Sequence, residues 1–187
     1  MRRIAFVIAS CLVTLTPALA QTPREAISVD LSPADVAAAF EDAALSACAP
    51  AIAEASLIAG LPPDVRRRFV SSSDVETSRI SGAAPSDAVF DVLAGKGVVT
   101  VREGDGRCIV SAYGPPASPT IRALAARLSA EGFERLAAAG PTGLSQSLVR
   151  FVNGRRVQAI LSGSEPGMPG HQSRFSVVTA TFFATPG

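Results

Sequence analysis

Two short turn signals, each set between runs of apolar residues, constrain the fold of this chain most. One is Asn153-Gly154, the dipeptide most typical of a two-residue β-hairpin turn. The other is Gly104-Asp105-Gly106, where glycine supplies the positive φ values that a tight turn needs. The pattern therefore predicts two antiparallel hairpins. Their strands are expected at residues 98–103 and 107–113, and at residues 148–152 and 155–161.

The first long helix is predicted near the start of the chain. Ser32 is a favourable helix cap, and Pro33 suits the first helical turn. Pro50 is expected to end or kink this helix, which residues 51–59 then resume. The apolar positions fall on one stripe, which consists of Val36, Phe40, Ala43, Ala44 and Ala47.

A second amphipathic helix opens at Ser118 and Pro119 and is followed by Gly132, which is placed for a C-terminal cap. A short helix is also predicted from Ser86 through Leu93, ended by Gly95. The apolar stripe of the long helix consists of Ile121, Leu124, Ala125 and Leu128. The other segments are a short helix at 64–70, a loop at 71–85 with one short strand at 75–80, an ambiguous strand or helix at 133–139, and a last strand at 174–184.

This order of elements predicts the α+β class. We expect one domain over residues 21–187, with an antiparallel sheet built from the two hairpins plus a C-terminal strand and with the helices packed on one face. The long first helix with its cysteine, the Gly-Arg-Cys-Ile-Val strand at 106–110 and the second helix, with proline in its first turn, resemble small uncharacterised periplasmic proteins of alphaproteobacteria in layout. This resemblance covers most of residues 21–187 and implies no activity.

Residues 1–20 have the pattern of a cleavable secretory signal. Two arginines precede an uncharged apolar run, residues 4–15, and Ala18-Leu19-Ala20 presents small residues before Gln21. The run is shorter than the roughly 20 residues that span a bilayer. The alternative is a lipoprotein signal, Ile8-Ala9-Ser10-Cys11, but cleavage there leaves an apolar tail without a purpose. The sequence therefore predicts a periplasmic or secreted protein with no transmembrane segment in its mature chain.

Cysteine usage agrees with an oxidising compartment. Of the three cysteines, Cys11 lies in the predicted signal, which leaves Cys48 and Cys108. Two cysteines in such a compartment are expected to form a disulfide. The alternative is a two-cysteine metal site, but no histidine or further cysteine lies nearby to complete it.

The balance of charge argues against a nucleic-acid partner. The whole chain has 17 basic and 16 acidic residues. The predicted signal removes two of the arginines and no acid, so 15 basic residues face 16 acidic ones, a net charge of −1. Domains that bind nucleic acid usually carry a strongly basic face, and the only basic run here is Arg66-Arg67-Arg68.

A Gly/Pro-rich loop at residues 162–173 is the candidate contact loop. It contains Glu165, Met168 and the only histidine, His171. It is longer than the two to five residues that a hairpin turn needs, but mobile loops of this kind are often tolerated, solvated insertions, and that alternative stays open. Met168 and His171 are soft ligands suited to Cu(I), but with Glu165 they form an incomplete set, and no metal site is assigned.

No group of residues predicts a catalytic centre or a cofactor site. Ser164 follows Gly163 without the strand-turn-helix elbow of a serine nucleophile. The acidic pairs Glu41-Asp42 and Glu103-Asp105 are expected to be solvated. The sequence therefore favours an exported, non-enzymatic binding or interaction domain, with an envelope protein or a small ligand as partner. The alternative is an unrecognised hydrolase or metal-assisted enzyme that uses His171.

Overall fold

The structure, a computed structural model, describes residues 31–54, 58–66, 70–71, 88–93, 98–136, 144–169, 171 and 174–186. The predicted signal and the predicted short strand at 75–80 lie outside these residues.

Four α-helices lie in the described part of the chain. They are α1 (Pro33–Ala43), α2 (Ala49–Ala53), α3 (Pro63–Arg66) and α4 (Ala117–Ala130), with a π-helical segment (Ala44–Cys48) that joins α1 to α2 and a 3-10 turn at Ile58–Gly60. Ser32 caps α1, because its side chain accepts a hydrogen bond from the Asp35 N–H. The apolar stripe of α1 is buried at Val36, Phe40 and Ala43.

Pro50 does not end the first helix, which continues through it to Ala53. A proline inside a helix cannot donate to the carbonyl four residues back, and its ring clashes with that carbonyl. The helix widens just before the proline, where the Ala49 N–H donates to the Ala44 carbonyl, five residues back. Of the helical segment predicted at 51–59, the structure has α-helix up to Ala53 and a 3-10 turn at Ile58–Gly60.

Eight described strands form one antiparallel sheet in the order β1-β2-β3-β4-β8-β7-β6-β5. The strands are β1 (Val70–Ser71), β2 (Ala88–Asp91), β3 (Val99–Gly104), β4 (Arg107–Tyr113), β5 (Glu134–Arg135), β6 (Ser145–Val152), β7 (Arg155–Ser164) and β8 (Val177–Pro186). Strand β8 lies between β4 and β7 and pairs with both. The α+β class is confirmed, and the sheet is wider than two hairpins and one strand.

The two turn signals lie where β3 meets β4 and where β6 meets β7. Asp105 and Gly106 have φ values of 51° and 69°, and Asn153 and Gly154 have φ values of 51° and 72°. Positive φ at both central residues is what a type I′ turn requires, and this turn matches the twist of the strands that it joins.

The helix predicted from Ser86 to Leu93 is wrong, because Ala88–Asp91 forms strand β2 and pairs with β3. Backbone pairing with an existing strand outweighs the weak local preference of a four-residue segment. The strand ends at Asp91, whose carboxylate accepts a hydrogen bond from the Leu93 N–H. Ser86 and Gly95 lie outside the described residues.

The long helices pack on one face of the sheet. The core between them is formed by alternate residues of the central strands, which are buried at Val99 and Val101 in β3, Cys108, Val110 and Ala112 in β4, Val178, Ala180 and Phe182 in β8, and Val157, Ala159 and Leu161 in β7. We call the opposite side of β3, β4, β8, β7 and β6 the open face, because their intervening side chains point away from these helices.

A disulfide between Cys48 and Cys108 joins the π-helical segment to β4, with the two Cα atoms 5.3 Å apart. Both side chains are buried. The helical run Pro33–Ala53 is long and apolar enough to cross a membrane by length and composition, but half of its apolar window is buried inside the protein. Because this run packs on the sheet and carries the disulfide, we interpret it as a core helix.

Helix α4 approaches the sheet closely at its first turn. A Cβ atom placed on Gly163 of β7 would lie 2.9 Å from the Ala117 Cβ and 2.9 Å from the Ile121 Cδ1, so only glycine fits here without a shift. At the other end, Gly132 has a φ of 87°, and the Phe133 N–H returns to the Leu128 carbonyl at 3.0 Å. The predicted glycine cap of this helix is therefore present.

Candidate functional site

His171 closes the base of the candidate contact loop. Its Nε2 lies 2.9 Å from the Phe175 carbonyl oxygen, and its Nδ1 lies 2.9 Å from Ser164 Oγ. Because a carbonyl can only accept, Nε2 carries a proton, and in the neutral ring the Ser164 hydroxyl donates to Nδ1. Ser164 ends β7 and is in register with Val177, the first residue of β8. The histidine therefore links the two ends of the loop.

The other two residues predicted for contact also bind within the protein. Glu165 Oε1 accepts hydrogen bonds from the backbone N–H groups of Ala117 at 3.1 Å and Ser118 at 3.4 Å. A carboxylate in this position satisfies the free donors and the positive end of helix α4. Met168 Sδ lies 3.3 Å from the Glu165 nitrogen, and its side chain packs against the core.

These contacts give the loop a structural role, because they anchor it to helix α4 and to both strands that it joins. They also engage both ring nitrogens of His171. Within the described residues, no three side chains from His, Cys, Asp and Glu come together as a set of metal ligands.

Two acidic residues expected at the solvated surface are partly buried, so that expectation is wrong for them. Glu41 Oε2 lies 3.0 Å from Arg127 Nη1 and joins α1 to α4. Glu103 faces the helices because it is opposite Cys108 in the hairpin register. Its Oε1 accepts from the Ile58 N–H at 3.1 Å. Burial raises the pKa of Glu103, although that hydrogen bond opposes the shift.

A cleft of about 220 Å³ lies between the ends of α2 and α4 and the β6–β7 hairpin. Arg150 Nη1 donates to the Glu131 carbonyl at 2.8 Å, and its guanidinium lies 5.3 Å from the centre of the Phe133 ring. Arg155 Nη1 donates to the Ile52 carbonyl at 3.1 Å. Arginines of one hairpin thus cap the carbonyl ends of both helices, which gives the polar groups around this cleft a structural explanation.

The open face is organised in rows, because antiparallel strands place residues directly opposite one another. One row carries hydroxyl groups and consists of Thr100, Ser111, Thr179, Ser162 and Ser145. The next row consists of Arg102, Ile109, Thr181, Ile160 and Ser147, the third of Arg107, Phe183, Gln158 and Val149, and the fourth of Thr185, Arg156 and Phe151. A fifth row, on the other side of the hydroxyl row, consists of Tyr113, Val177 and Ser164.

Large apolar side chains are exposed at the β5–β7 side of this face. Phe151 is 69 % exposed, Ile160 37 % and Leu136 45 %. The Leu136 N–H donates to the Ser147 carbonyl at 2.9 Å, and Ser147 is opposite Ile160. Leu136 thus extends the Ile160 row by one strand. We call Leu136, Phe151 and Ile160 the apolar patch.

The sequence pattern predicts contact at the loop and does not indicate the open face. The signal was present in the alternation of β7, where Val157, Ala159 and Leu161 face the core while Ile160 occupies an outward position. An apolar residue at an outward position of a strand is the informative exception to this pattern. No protein-family model, curated protein or solved structure matches the chain.

Proposed function

We propose that this chain is an exported, non-enzymatic interaction domain that binds an envelope protein through its open face. The observation that carries the proposal is the apolar patch, whose three residues lie on or beside neighbouring strands of a hydrogen-bonded sheet. Single exposed apolar residues are common on soluble proteins, but three large ones on the same end of one sheet face favour an interaction surface. The disulfide fits an oxidising compartment.

The chemistry of the open face favours a protein over a bilayer as the partner. Next to the row that contains Ile160, four of the five strands contribute Ser111, Thr179, Ser162 and Ser145. Hydroxyl groups that leave water need hydrogen-bond partners. A protein surface supplies such partners, and the hydrocarbon of a membrane does not. The sheet also presents a broad surface, whereas small-molecule sites are concave.

The loop is proposed as a secondary part of this contact. Its residues Glu165, Met168 and His171 have partners within the protein, so they support the fold and are poorly placed to lead recognition. Phe175, at the base of the loop, is 63 % exposed and is a large apolar side chain of this region that a partner can reach.

Site-specific photo-crosslinking in the native host tests the proposal. A photoreactive phenylalanine analogue replaces Phe151 or Ile160 on the open face, or Ala126 on the exposed side of α4 as the matched control. We expect discrete adducts from positions 151 and 160 and none from position 126. The adduct from position 151 should be lost when Ile160→Ser is added. Adducts of equal yield from all three positions, or none from the open face, contradict the proposal.

Intact mass of the protein from a periplasmic extract tests the export step. A mass that begins at Gln21 is expected from the signal pattern. A mass with an acylated Cys11 at the start would instead assign the protein to a membrane surface by a lipid anchor.

The contact between Ser164 and His171 supports a second candidate, a hydrolase. The Phe175 carbonyl orients the imidazole, whose Nδ1 can take the proton of Ser164, as a general base does for a serine nucleophile. A fluorophosphonate probe should then label Ser164 in the wild type, and neither Ser164→Ala nor His171→Ala should be labelled. A wild-type protein that resists the probe excludes this candidate.

A further inference from the structure

We propose that the partner segment bound by the open face is acidic as well as apolar. This inference rests on the proposed function and names the chemistry of the partner. It starts from the charged residues that the five strands β3, β4, β8, β7 and β6 place on that face, which are Arg102, Arg107 and Arg156.

The open face of these five strands carries no aspartate or glutamate. Every outward position on them is apolar, hydroxylic, amide or arginine, apart from Gly104. Two carboxylates flank this face in the register: Asp91 on β2, which is buried, lies opposite Thr100, and Glu134 on the edge strand β5 lies opposite Val149. Residues 21–187 carry a net charge of −1, so this face is more positive than the chain as a whole. Complementary charge selects partners and directs their approach.

Two of the arginines stand next to aromatic rings with their charge available. Arg107 is opposite Phe183, and Arg156 is opposite Phe151. Among the described residues, neither Arg107 nor Arg156 forms a hydrogen bond or an ion pair within the protein. An arginine beside an exposed ring binds carboxylates in pairs of parallel hydrogen bonds while the ring holds apolar side chains. The geometry therefore suits a segment in which acidic and apolar residues are close together.

A phage-displayed library of random twelve-residue peptides tests the inference on the mature protein, residues 21–187. The library is first depleted on the Phe151→Ser/Ile160→Ser variant, which removes peptides that bind elsewhere. The selected peptides are then sequenced and their affinities measured for three proteins: wild type, Arg107→Gln/Arg156→Gln, and Arg122→Gln. Arg122 is an exposed arginine of α4 on the helical side and is the matched control.

We expect the selected peptides to be enriched in aspartate and glutamate together with leucine or aromatic residues. The Arg107→Gln/Arg156→Gln variant should bind them at least about tenfold more weakly, a change typical of lost charge pairs at an interface. Arg122→Gln should bind as the wild type does. Raising the salt concentration should weaken wild-type binding more than binding by the double variant.

Three outcomes overturn the inference in distinguishable ways. Selected peptides without an acidic excess, or equal affinity for the wild type and the arginine variant, refute the acidic partner while the open-face interaction stands. A library that yields no peptide above the depleted background contradicts both proposals. The third outcome comes from sedimentation with vesicles of phosphatidylglycerol and phosphatidylethanolamine. If the wild type sediments with them, the arginine variant does not, and no acidic peptide is selected, the open face binds an anionic lipid surface instead.

Discussion

Loss of the disulfide is expected to lower the free energy of unfolding by about 4 kcal/mol. The bond joins two residues separated by 60 positions in the chain, and closing a loop of that length removes about 14 cal/mol/K of entropy from the unfolded state. The native Cα distance of 5.3 Å lies within the ordinary range for disulfides. For a domain of this size, about 4 kcal/mol corresponds to a melting temperature lower by about 8–16 °C.

Thermal unfolding monitored by circular dichroism measures this effect with and without a reducing agent. The reduced wild type keeps both thiols, so its shift isolates the covalent link from packing. The Cys48→Ala/Cys108→Ala variant is the control: it should melt at or below the temperature of the reduced wild type, because truncation at two buried positions adds a cavity cost, and it should not respond to the reducing agent. A wild-type melting temperature that is unchanged by reduction would refute the reasoning, provided that mass spectrometry shows the bond to be broken.

Three further predictions concern single positions. Gly163→Ala should destabilise the fold by about 1–3 kcal/mol, because the new Cβ would lie 2.9 Å from Ala117 of helix α4; an unchanged urea midpoint argues against this close approach. Gly154→Val should cost about 1–3 kcal/mol because φ there is 72°; calorimetry measures it, and equal melting temperatures would contradict the turn. Glu103→Gln should raise stability modestly at pH 7 and leave it unchanged below the ordinary glutamate pKa, because burial raises the pKa of the Glu103 carboxyl in the folded protein. Urea unfolding at several pH values measures this, and a stability difference that is the same at every pH contradicts an origin in the charge of Glu103.

The sign of the Glu103 effect follows from proton binding. A carboxyl group whose pKa is higher in the folded state than in the unfolded state holds more protons when folded. Stability therefore falls as the pH rises from the unfolded-state pKa through the folded-state pKa. The cost of the ionised form is complete only above the raised pKa. Solvent reaches much of this side chain, so screening keeps the effect below about 1 kcal/mol. Glutamine keeps an oxygen for the Ile58 N–H, which makes the substitution specific to charge.

Local chemistry explains which parts of the fold the sequence predicts well. Asn153-Gly154 specifies a turn through its own backbone preferences, and Ser32 caps α1 through a bond to a residue three positions away. Gly132 likewise ends α4, because the N–H of the next residue, Phe133, donates to the Leu128 carbonyl. Each of these features depends on few neighbours, so the sequence contains the information directly.

Features that depend on distant partners could not be predicted in this way. Strand β2 exists because it pairs with β3, and a four-residue segment carries little preference of its own. Glu103 faces the helices because of the hairpin register, and it accepts a hydrogen bond from the N–H of Ile58, 45 positions earlier in the chain. The same limit applies to the site: Ser164 and His171 are close because the loop folds back, and the open face appears only once five strands are aligned.

The position of β8 determines when this chain can complete its fold. The first four strands form one continuous meander and the next three form another, and the strand at residues 177–186 joins the two halves through its pairs with β4 and β7. A ribosome delivers this strand after all the others, so the sheet stays in two separate pieces until translation has passed residue 177. Long-range pairing of this kind slows folding. For the export proposed above, such a delay would keep the chain unfolded for longer before its central strand pairs.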